Sequence, residues 1–190
     1  MVRSAALLIR ERGAKATAIG DVLKHSGAPR GSAYHYFPDG RTQLLCEAVD
    51  LAGEYIADRI ARGRGAVEVL DTLVDSYCRQ LIDTDYRAGC PIVAVAVEAG
   101  DPDDSARVRP LIERSAAAFR RWNDLIAQQL VSDGFEPSRA DELAMLITTS
   151  IEGAIVVARA SRDVEPLDVV HRQLRALLLD NSQRKATDDR

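Results

Sequence analysis

The chain has 190 residues, of which 46% are hydrophobic, 28% charged and 5% aromatic. This composition describes a globular protein with enough apolar residues to bury a core, and we find no tandem repeat or low-complexity tract in it. The net charge is −4, but residues 1–47 carry seven Lys or Arg against four Asp or Glu, whereas the remainder carries eighteen against twenty-five. A basic amino-terminal segment on an acidic body fits a small module that faces phosphate groups.

The cysteines and the apolar runs bear on where the protein works. Cys46, Cys78 and Cys90 are odd in number and too widely spaced for a disulfide framework or a metal knuckle, so we expect three reduced thiols. The first residues lack the pattern of a signal peptide, and apolar runs such as 151–158 are interrupted by Glu152 and too short to span a bilayer. We therefore expect a cytoplasmic protein with no membrane partner.

Apolar residues recur at every third or fourth position along most of the chain, which predicts an all-α protein. Three short helices precede a long connecting helix, and five further helices form a larger body. The run 90–97 is ambiguous because it is short and rich in β-branched residues, but a helix is favoured since no second strand is available to pair with it. The predicted helices span residues 5–12, 18–25, 29–36, 41–60, 67–82, 90–97, 105–132, 139–160 and 166–180.

The ends of these helices follow from residues that cap or break the chain. Thr17 is the predicted N-cap of the second helix and Ser138 that of the eighth, while Asp104 or Ser105 is predicted to cap the seventh after a break at 100–102. We predict a small amino-terminal domain over residues 1–46, a larger helical domain over 47–181, and a disordered tail over 182–190.

Residues 17–37 predict a helix-turn-helix, whose second helix enters the major groove of DNA. Arg30 can pair with phosphate or with guanine, and the small residues Gly31 and Ser32 allow the backbone to approach DNA closely. Tyr34 and His35 offer hydrogen-bonding groups suited to phosphate oxygens. Spacing alone is permissive, so a small helical subdomain with no DNA role stays open as an alternative.

The run 30–44 (RGSAYHYFPDGRTQL) closely resembles the DNA-binding signature of TetR-type repressors. The extra Gly40 in its turn, Gly89-Cys90-Pro91 and the run 151–160 resemble the LmrA and YxaF branch of that family. We expect the DNA-contacting residues to be Thr17, Ala28, Arg30, Gly31, Ser32, Tyr34, His35 and Arg41.

This resemblance implies a homodimer whose three amino-terminal helices bind double-stranded DNA. It also implies that the carboxy-terminal helices hold a small apolar effector, that the last two helices form a four-helix bundle with the partner subunit, and that effector binding releases the operator. Small residues at Gly153, Ala154 and Ala158 and a leucine stripe on the last helix favour such a dimer independently, and two-fold symmetry predicts a pseudo-palindromic operator.

The effector pocket is harder to place, because its residues are also ordinary core residues. The candidates are Tyr77, Phe119, Trp122, Ile126 and Met145. Glu152 is either a buried partner of Arg159 or Thr148 or an anchor for the ligand, and we favour the structural role.

Two other functions compete with a repressor. An enzyme lacks support because His25, His35 and His171 stand in no metal-protease or hydrolase motif and no phosphate-binding loop is present, so we expect neither a metal nor a cofactor. A helical partner-binding protein without a DNA role is the second alternative.

Overall fold

A computed structural model describes residues 1–98 and 105–188, with side chains up to residue 98 and from 108 to 180. All elements in these described ranges are α-helices, as predicted. They are α1 (Val2–Arg12), α2 (Ile19–Ser26), α3 (Arg30–Tyr36), α4 (Gly40–Ala61), α5 (Ala66–Asp83), α6 (Pro91–Ala96), α7 (Ser105–Ser132), α8 (Pro137–Ser161) and α9 (Glu165–Asp188).

The ambiguous run at 90–97 is helical, which confirms the favoured prediction. Pro91 occupies the first turn of α6, where its missing N–H would have no partner in any case, and Ile92 and Val95 are buried on one side. The predicted break at 100–102 and a cap at Asp104 lie outside the described residues. The predicted tail lies partly outside them too: α9 continues to Asp188, and residues 189–190 and the side chains after 180 are not described.

Two helix caps differ from the predictions. Ala18, not Thr17, is the N-cap of α2, and the backbone N–H of Ala18 donates to the Asp21 carboxylate at 3.2 Å. Glu136, not Ser138, is the N-cap of α8, and its carboxylate accepts from the backbone N–H of Arg139 at 3.1 Å. In both places a carboxylate accepts from backbone N–H groups, and such hydrogen bonds are stronger than those to the predicted hydroxyl would be. A negative charge at the start of a helix is also favoured by the helix dipole.

The first compact unit combines residues 1–55 with residues 87–119. Within it α1 packs against α2 and α6, and α2 packs against α3. The backbone N–H of Gly89 donates to the carbonyl of Arg10 at 2.9 Å, which ties the segment before α6 to the end of α1. The side chains of Ala5, Ile9 and Val22 are fully buried and form part of its core.

The second compact unit combines residues 56–86 with the chain from residue 120 onward. Here α8 and α9 pack against each other and both pack against α5. His171 Nε2 on α9 lies 2.6 Å from the Asp71 carboxylate on α5, and Arg162 pairs with Asp85 at 2.5 Å. The domain boundary predicted at residue 46 stays a prediction.

Helix α8 is long and apolar enough to cross a membrane, with a mean hydropathy of 1.6 over an 18-residue window. This differs from the prediction that the apolar runs are too short to span a bilayer. Half of that window is buried inside the protein, which is the environment of a core helix. Its residues Leu143, Ile147, Ile151 and Ile155 follow one another on the buried side.

Candidate nucleic-acid interface and buried cavity

The turn between α2 and α3 is built by residues suited to a tight change of direction. Gly27 ends α2 with a φ of 68°, in the left-handed region that glycine adopts without strain. The Ser26 hydroxyl accepts from the backbone N–H of Ala28 at 3.3 Å, and Pro29 is the N-cap of α3 with a φ of −61°. These features place two short helices in the helix-turn-helix arrangement predicted from the sequence.

Helix α3 is anchored from one side and open on the other. Ala33 and Phe37, one helical turn apart, are buried beneath it. Arg30 and Gly31 are exposed, and no atom outside its own helix backbone and its chain neighbours lies within 4 Å of a Cβ built on Gly31. Ser32 is half-buried. An open backbone beside a cation is a surface that can approach a phosphate backbone closely.

The open side of α3 presents three rings. Tyr34 is 77% exposed and Tyr36 is 64% exposed, and His35 between them is exposed as well. The rings of His35 and Tyr36 meet edge to face with centroids 5.0 Å apart. Large rings left in water on a short helix indicate a surface that binds something. Tyr36 was not among the residues predicted to contact DNA, although consecutive rings cannot all reach the core from a seven-residue helix.

Thr17, predicted to contact DNA, is fully buried. Its hydroxyl donates to the carbonyl of Gly13 at 2.8 Å, so the carbonyl group at the carboxy-terminal end of α1 has a hydrogen-bond partner. A side chain with no exposed surface cannot reach a phosphate. Thr17 is therefore part of the core that supports the candidate interface and does not contact DNA through its side chain. Ala28, also predicted, lies half-buried in the turn itself.

Arg41, the predicted phosphate ligand at the start of α4, is half-buried and bound to carbonyl groups of the loop between α1 and α2. Its Nε donates to Thr17 at 2.9 Å, and its Nη2 donates to Ala14 at 2.5 Å and to Lys15 at 3.2 Å. Arg41 therefore positions the loop that precedes the helix-turn-helix. A contact of Arg41 with DNA stays a prediction.

A cavity of about 20 Å³ lies within the second unit, among α4, α5, α7 and α8. Its aliphatic wall consists of Ile56, Ile60, Leu73, Ile126 and Ile151. The remaining wall consists of Tyr77, Trp122, Thr148 and Glu152. Its free volume holds a group the size of a water molecule, so a larger ligand would have to displace side chains.

The structure brings together three of the five residues predicted for the effector pocket. Tyr77, Trp122 and Ile126 line the cavity and are buried. Phe119 belongs to the first unit and is not among the lining residues. Met145 is 53% exposed on α8, where its sulfur lies 3.6 Å from the Asn123 amide nitrogen. Glu152, for which a structural role was favoured over that of a ligand anchor, also lines the cavity.

A second exposed surface lies on α8 and α9, and we call it the α8–α9 face. Gly153 has no atom outside its own helix backbone and its chain neighbours within 4 Å of a built Cβ, so the helix backbone is open there. The exposed apolar residues of the face are Met145, Leu146, Val156, Val157, Val169 and Leu177. Apolar residues at helical spacing in water indicate a surface that another protein covers.

The described residues were also searched for metal-binding groups and for paired cysteines. No group of three or more His, Cys, Asp or Glu among them could hold a metal ion. Cys46, Cys78 and Cys90 are free thiols, as predicted.

Comparison with protein families matches most of the chain to two family models. Residues 2–48 match the model described as bacterial regulatory proteins of the tetR family. Residues 66–173 match the carboxy-terminal domain of LmrA/YxaF-like transcriptional regulators.

Relatives match along almost the whole length. An uncharacterized HTH-type transcriptional regulator of Mycobacterium tuberculosis is 66% identical over 94% of this chain and 92% of its own. The HTH-type transcriptional regulator LmrA of Bacillus subtilis is 30% identical over 88% of each chain. The crystal structure of a TetR transcriptional regulator from Legionella pneumophila superposes with a TM-score of 0.79 over 93% of this chain and 94% of its own, at 17% identity, which supports the fold.

Proposed function

Because the chain belongs to the TetR family of bacterial transcriptional regulators, in its LmrA/YxaF-like branch, we propose that it is a cytoplasmic, homodimeric repressor. It binds a pseudo-palindromic operator in double-stranded DNA and leaves it when a small effector binds. The observation that carries the proposal is the open side of α3, where the side chains of Tyr34 and Tyr36 are exposed to solvent while Ala33 and Phe37 on the other side are buried. The relatives and both family models are described as transcriptional regulators, so nothing supports an enzymatic function for this chain.

In this proposal α3 lies in the major groove. Arg30 pairs with phosphate or with the O6 and N7 of guanine, and Gly31 and Ser32 let the backbone come close. Tyr34, His35 and Tyr36 donate hydrogen bonds to phosphate oxygens on either side of the groove. Residues 1–46 are the DNA-binding domain, with Ala28 in the turn and Thr17 and Arg41 supporting it.

The dimer forms through the α8–α9 face. Two copies that bury Val156 and Val157 around the open backbone of Gly153 remove a contiguous apolar surface from water. A two-fold dimer carries two copies of α3, which fits an operator made of two inverted half-sites. Residues 47–181 then form the effector-binding and dimerisation domain.

Effector release follows from helix α4, which begins at Gly40 beside the helix-turn-helix and contributes Ile56 and Ile60 to the cavity. A ligand that enlarges the cavity displaces these side chains and with them the far end of α4. The operator affinity falls only to the extent that the ligand binds the displaced conformation better than the DNA-bound one.

Selection of bound sequences from random double-stranded DNA tests the core of the proposal. Recovery of one short inverted repeat is expected. Recovery of no sequence preference, with binding that only weakens as salt rises, would contradict a sequence-specific repressor and favour non-specific attraction. No DNA binding at all would favour the partner-binding alternative.

The Tyr34→Phe variant links the selected operator to α3. Loss of one hydroxyl to a charged phosphate should weaken operator binding about tenfold or more in each subunit, measured by fluorescence anisotropy. The matched control is Tyr55→Phe, an exposed tyrosine on α4, which should leave the affinity unchanged.

A further inference from the structure

Arg30 is the first residue of α3, and its side chain is exposed. Among the residues whose side chains the structure describes, none forms a hydrogen bond or an ion pair with its guanidinium group. Two other arginines of the same unit are engaged: Arg12 pairs with Asp21 at 2.9 Å, and Arg41 donates to carbonyl groups of the loop between α1 and α2. The N–H donors of Arg30 are therefore available to a partner outside the described part of the chain.

Large side chains are unevenly distributed along α3. Its first half contains Gly31 and the half-buried Ser32, and the space around a Cβ built on Gly31 is open. Its second half carries the exposed rings of Tyr34, His35 and Tyr36. In a groove, the half without bulky side chains can approach the base edges most closely, while the rings meet the sugar-phosphate walls. This agrees with helix-turn-helix proteins in general, where the first residues of the second helix contact base edges.

The chemistry of arginine selects one base. Guanine presents two acceptors, O6 and N7, on its major-groove edge, and the planar guanidinium group can donate to both at once. The hydroxyl groups of Ser32 and Tyr34 and the ring nitrogens of His35 cannot make this two-point contact with one base edge, but each can bind a phosphate oxygen. The only exposed side chain of α3 suited to guanine is thus the one at its start.

We propose that Arg30 is the residue that reads a base in this regulator, by donating to the O6 and N7 of one guanine in each operator half-site, and that it contacts no phosphate. This inference rests on the proposed operator binding. Because the two subunits are related by a two-fold axis, the guanine in one half-site has a cytosine at the symmetry-related position of the same strand.

Modified DNA tests the contact in the unaltered full-length protein. In the selected operator, each guanine is replaced in turn by 7-deazaguanine, which pairs normally with cytosine but lacks the N7 acceptor. Binding is measured by fluorescence anisotropy at constant salt. One guanine in each half-site should be sensitive, with affinity falling about tenfold because a hydrogen bond to a charged donor is lost. An operator in which no guanine is sensitive would overturn the proposal.

Variants assign the sensitive guanine to Arg30. Arg30→Ala should bind the natural and the 7-deazaguanine operators equally. Arg30→Gln should prefer adenine at the same position, since a glutamine amide pairs with the N6 and N7 of adenine. Lys24→Ala is the matched control, because Lys24 is an exposed cation in the last turn of α2. It should keep the sensitivity to 7-deazaguanine whatever its effect on overall affinity.

The remaining outcomes separate a failed assignment from a failed function. An Arg30→Ala protein that stays sensitive to 7-deazaguanine, or whose slope of log K against log salt becomes shallower by about 0.9 per subunit, would place Arg30 on phosphate and overturn the proposal. Either result would leave sequence-specific operator binding standing. Selection that yields no preferred sequence would contradict the operator function and this assignment together.

Discussion

At the scale of single residues, Arg41 supports the interface through the backbone of the loop between α1 and α2. Its guanidinium donates to three carbonyl groups from two nitrogens, a geometry that a lysine ammonium cannot reproduce. We expect Arg41→Lys to lower the free energy of unfolding by about 1–3 kcal/mol, measured by urea denaturation. Arg30→Ala, which removes an exposed guanidinium, should change it by no more than about 0.5 kcal/mol.

The salt dependence of operator binding separates this supporting role of Arg41 from a phosphate contact. If Arg41 only positions the loop, Arg41→Ala weakens binding but leaves the slope of log K against log salt unchanged. A slope that becomes shallower by about 0.9 for each lost contact would instead assign Arg41 to phosphate.

The pKa of the Cys78 thiol affects both the stability of the protein at high pH and the reactivity of this cysteine. Burial, together with the nearby Asp168 and Asp75 carboxylates, raises the pKa of the Cys78 thiol to about 11. The native state therefore holds this proton more tightly than the unfolded chain, and the stability from this source is complete below about pH 9 and is lost as the pH rises towards 11.

Alkylation by iodoacetamide, followed by peptide mass spectrometry, measures this shift. The rate at Cys78 at pH 8 should be about a hundredfold below that of an ordinary thiol, because only the thiolate reacts. It should continue to rise about tenfold per pH unit from pH 8 to 10. A rate that levels off near pH 9, as for glutathione measured alongside, would contradict the raised pKa.

The exposure of residues on α3 was predictable where the sequence itself limits their position. Gly31 and Tyr34 follow from a short helix that needs both a close backbone and an outward ring. Thr17 was placed at the surface because a hydroxyl before a helix is the usual N-cap. In the structure the Asp21 carboxylate accepts from the backbone at the start of α2, and the Thr17 hydroxyl donates to Gly13. Neither contact is predictable from the local sequence, because both depend on how α1 packs against α2.

At the scale of elements, the loop between α1 and α2 is also held by Glu98, just after α6. The Glu98 carboxylate accepts from the backbone N–H of Lys15 at 2.9 Å, and it fills the space where a side chain on Gly13 would point. Gly13 has a φ of 87°, and a Cβ placed there would overlap with Glu98 Oε1. A segment distant in sequence thereby fixes the entrance to the helix-turn-helix.

The Gly13→Ala variant tests this contact. Backbone strain and the displaced carboxylate should together lower the free energy of unfolding by about 1–3 kcal/mol in urea denaturation. Gly20→Ala is the control, because Gly20 lies in α2 with open space around it and alanine there should stabilise the helix by about 0.5–1 kcal/mol. If Glu98→Ala does not relieve any of the cost of Gly13→Ala in the double variant, the contact is not its source.

Helical periodicity was sufficient to locate the elements, because each helix buries a stripe of apolar residues. The run 90–97 was the exception, because its pattern also fitted a strand and the lack of a partner strand decided for a helix. The contacts that join elements were not predictable in this way. Glu98 and Lys15 are far apart in sequence, and no local pattern marks either as the partner of the other.

At the scale of the whole molecule, the cavity proposed to hold the effector shows the same limit. Tyr77, Trp122 and Ile126 were predicted because large apolar residues on adjacent helices tend to meet. Phe119 and Met145 satisfied the same criterion, yet one lies in the other unit and one is exposed. Which face of a helix turns inward depends on the packing of the complete set, and α8 has apolar residues on both faces.

The second apolar face of α8 yields the last prediction. Val156 is exposed on the α8–α9 face, so an arginine there costs little in the monomer but would be buried without a partner in the dimer. Val156→Arg should therefore shift the protein from dimer to monomer in sedimentation at micromolar concentration, with its thermal unfolding as a monomer preserved.

Operator binding should weaken by about a hundredfold or more in Val156→Arg, since each half-site must then be bound independently. Val131→Arg supplies the matched control: an exposed valine on α7, outside the α8–α9 face, exchanged for the same cation. It should remain dimeric and bind the operator normally. A Val156→Arg protein that is still a dimer would place the subunit contact elsewhere, because an arginine cannot be buried unpaired at the centre of a close helix packing without dissociating it.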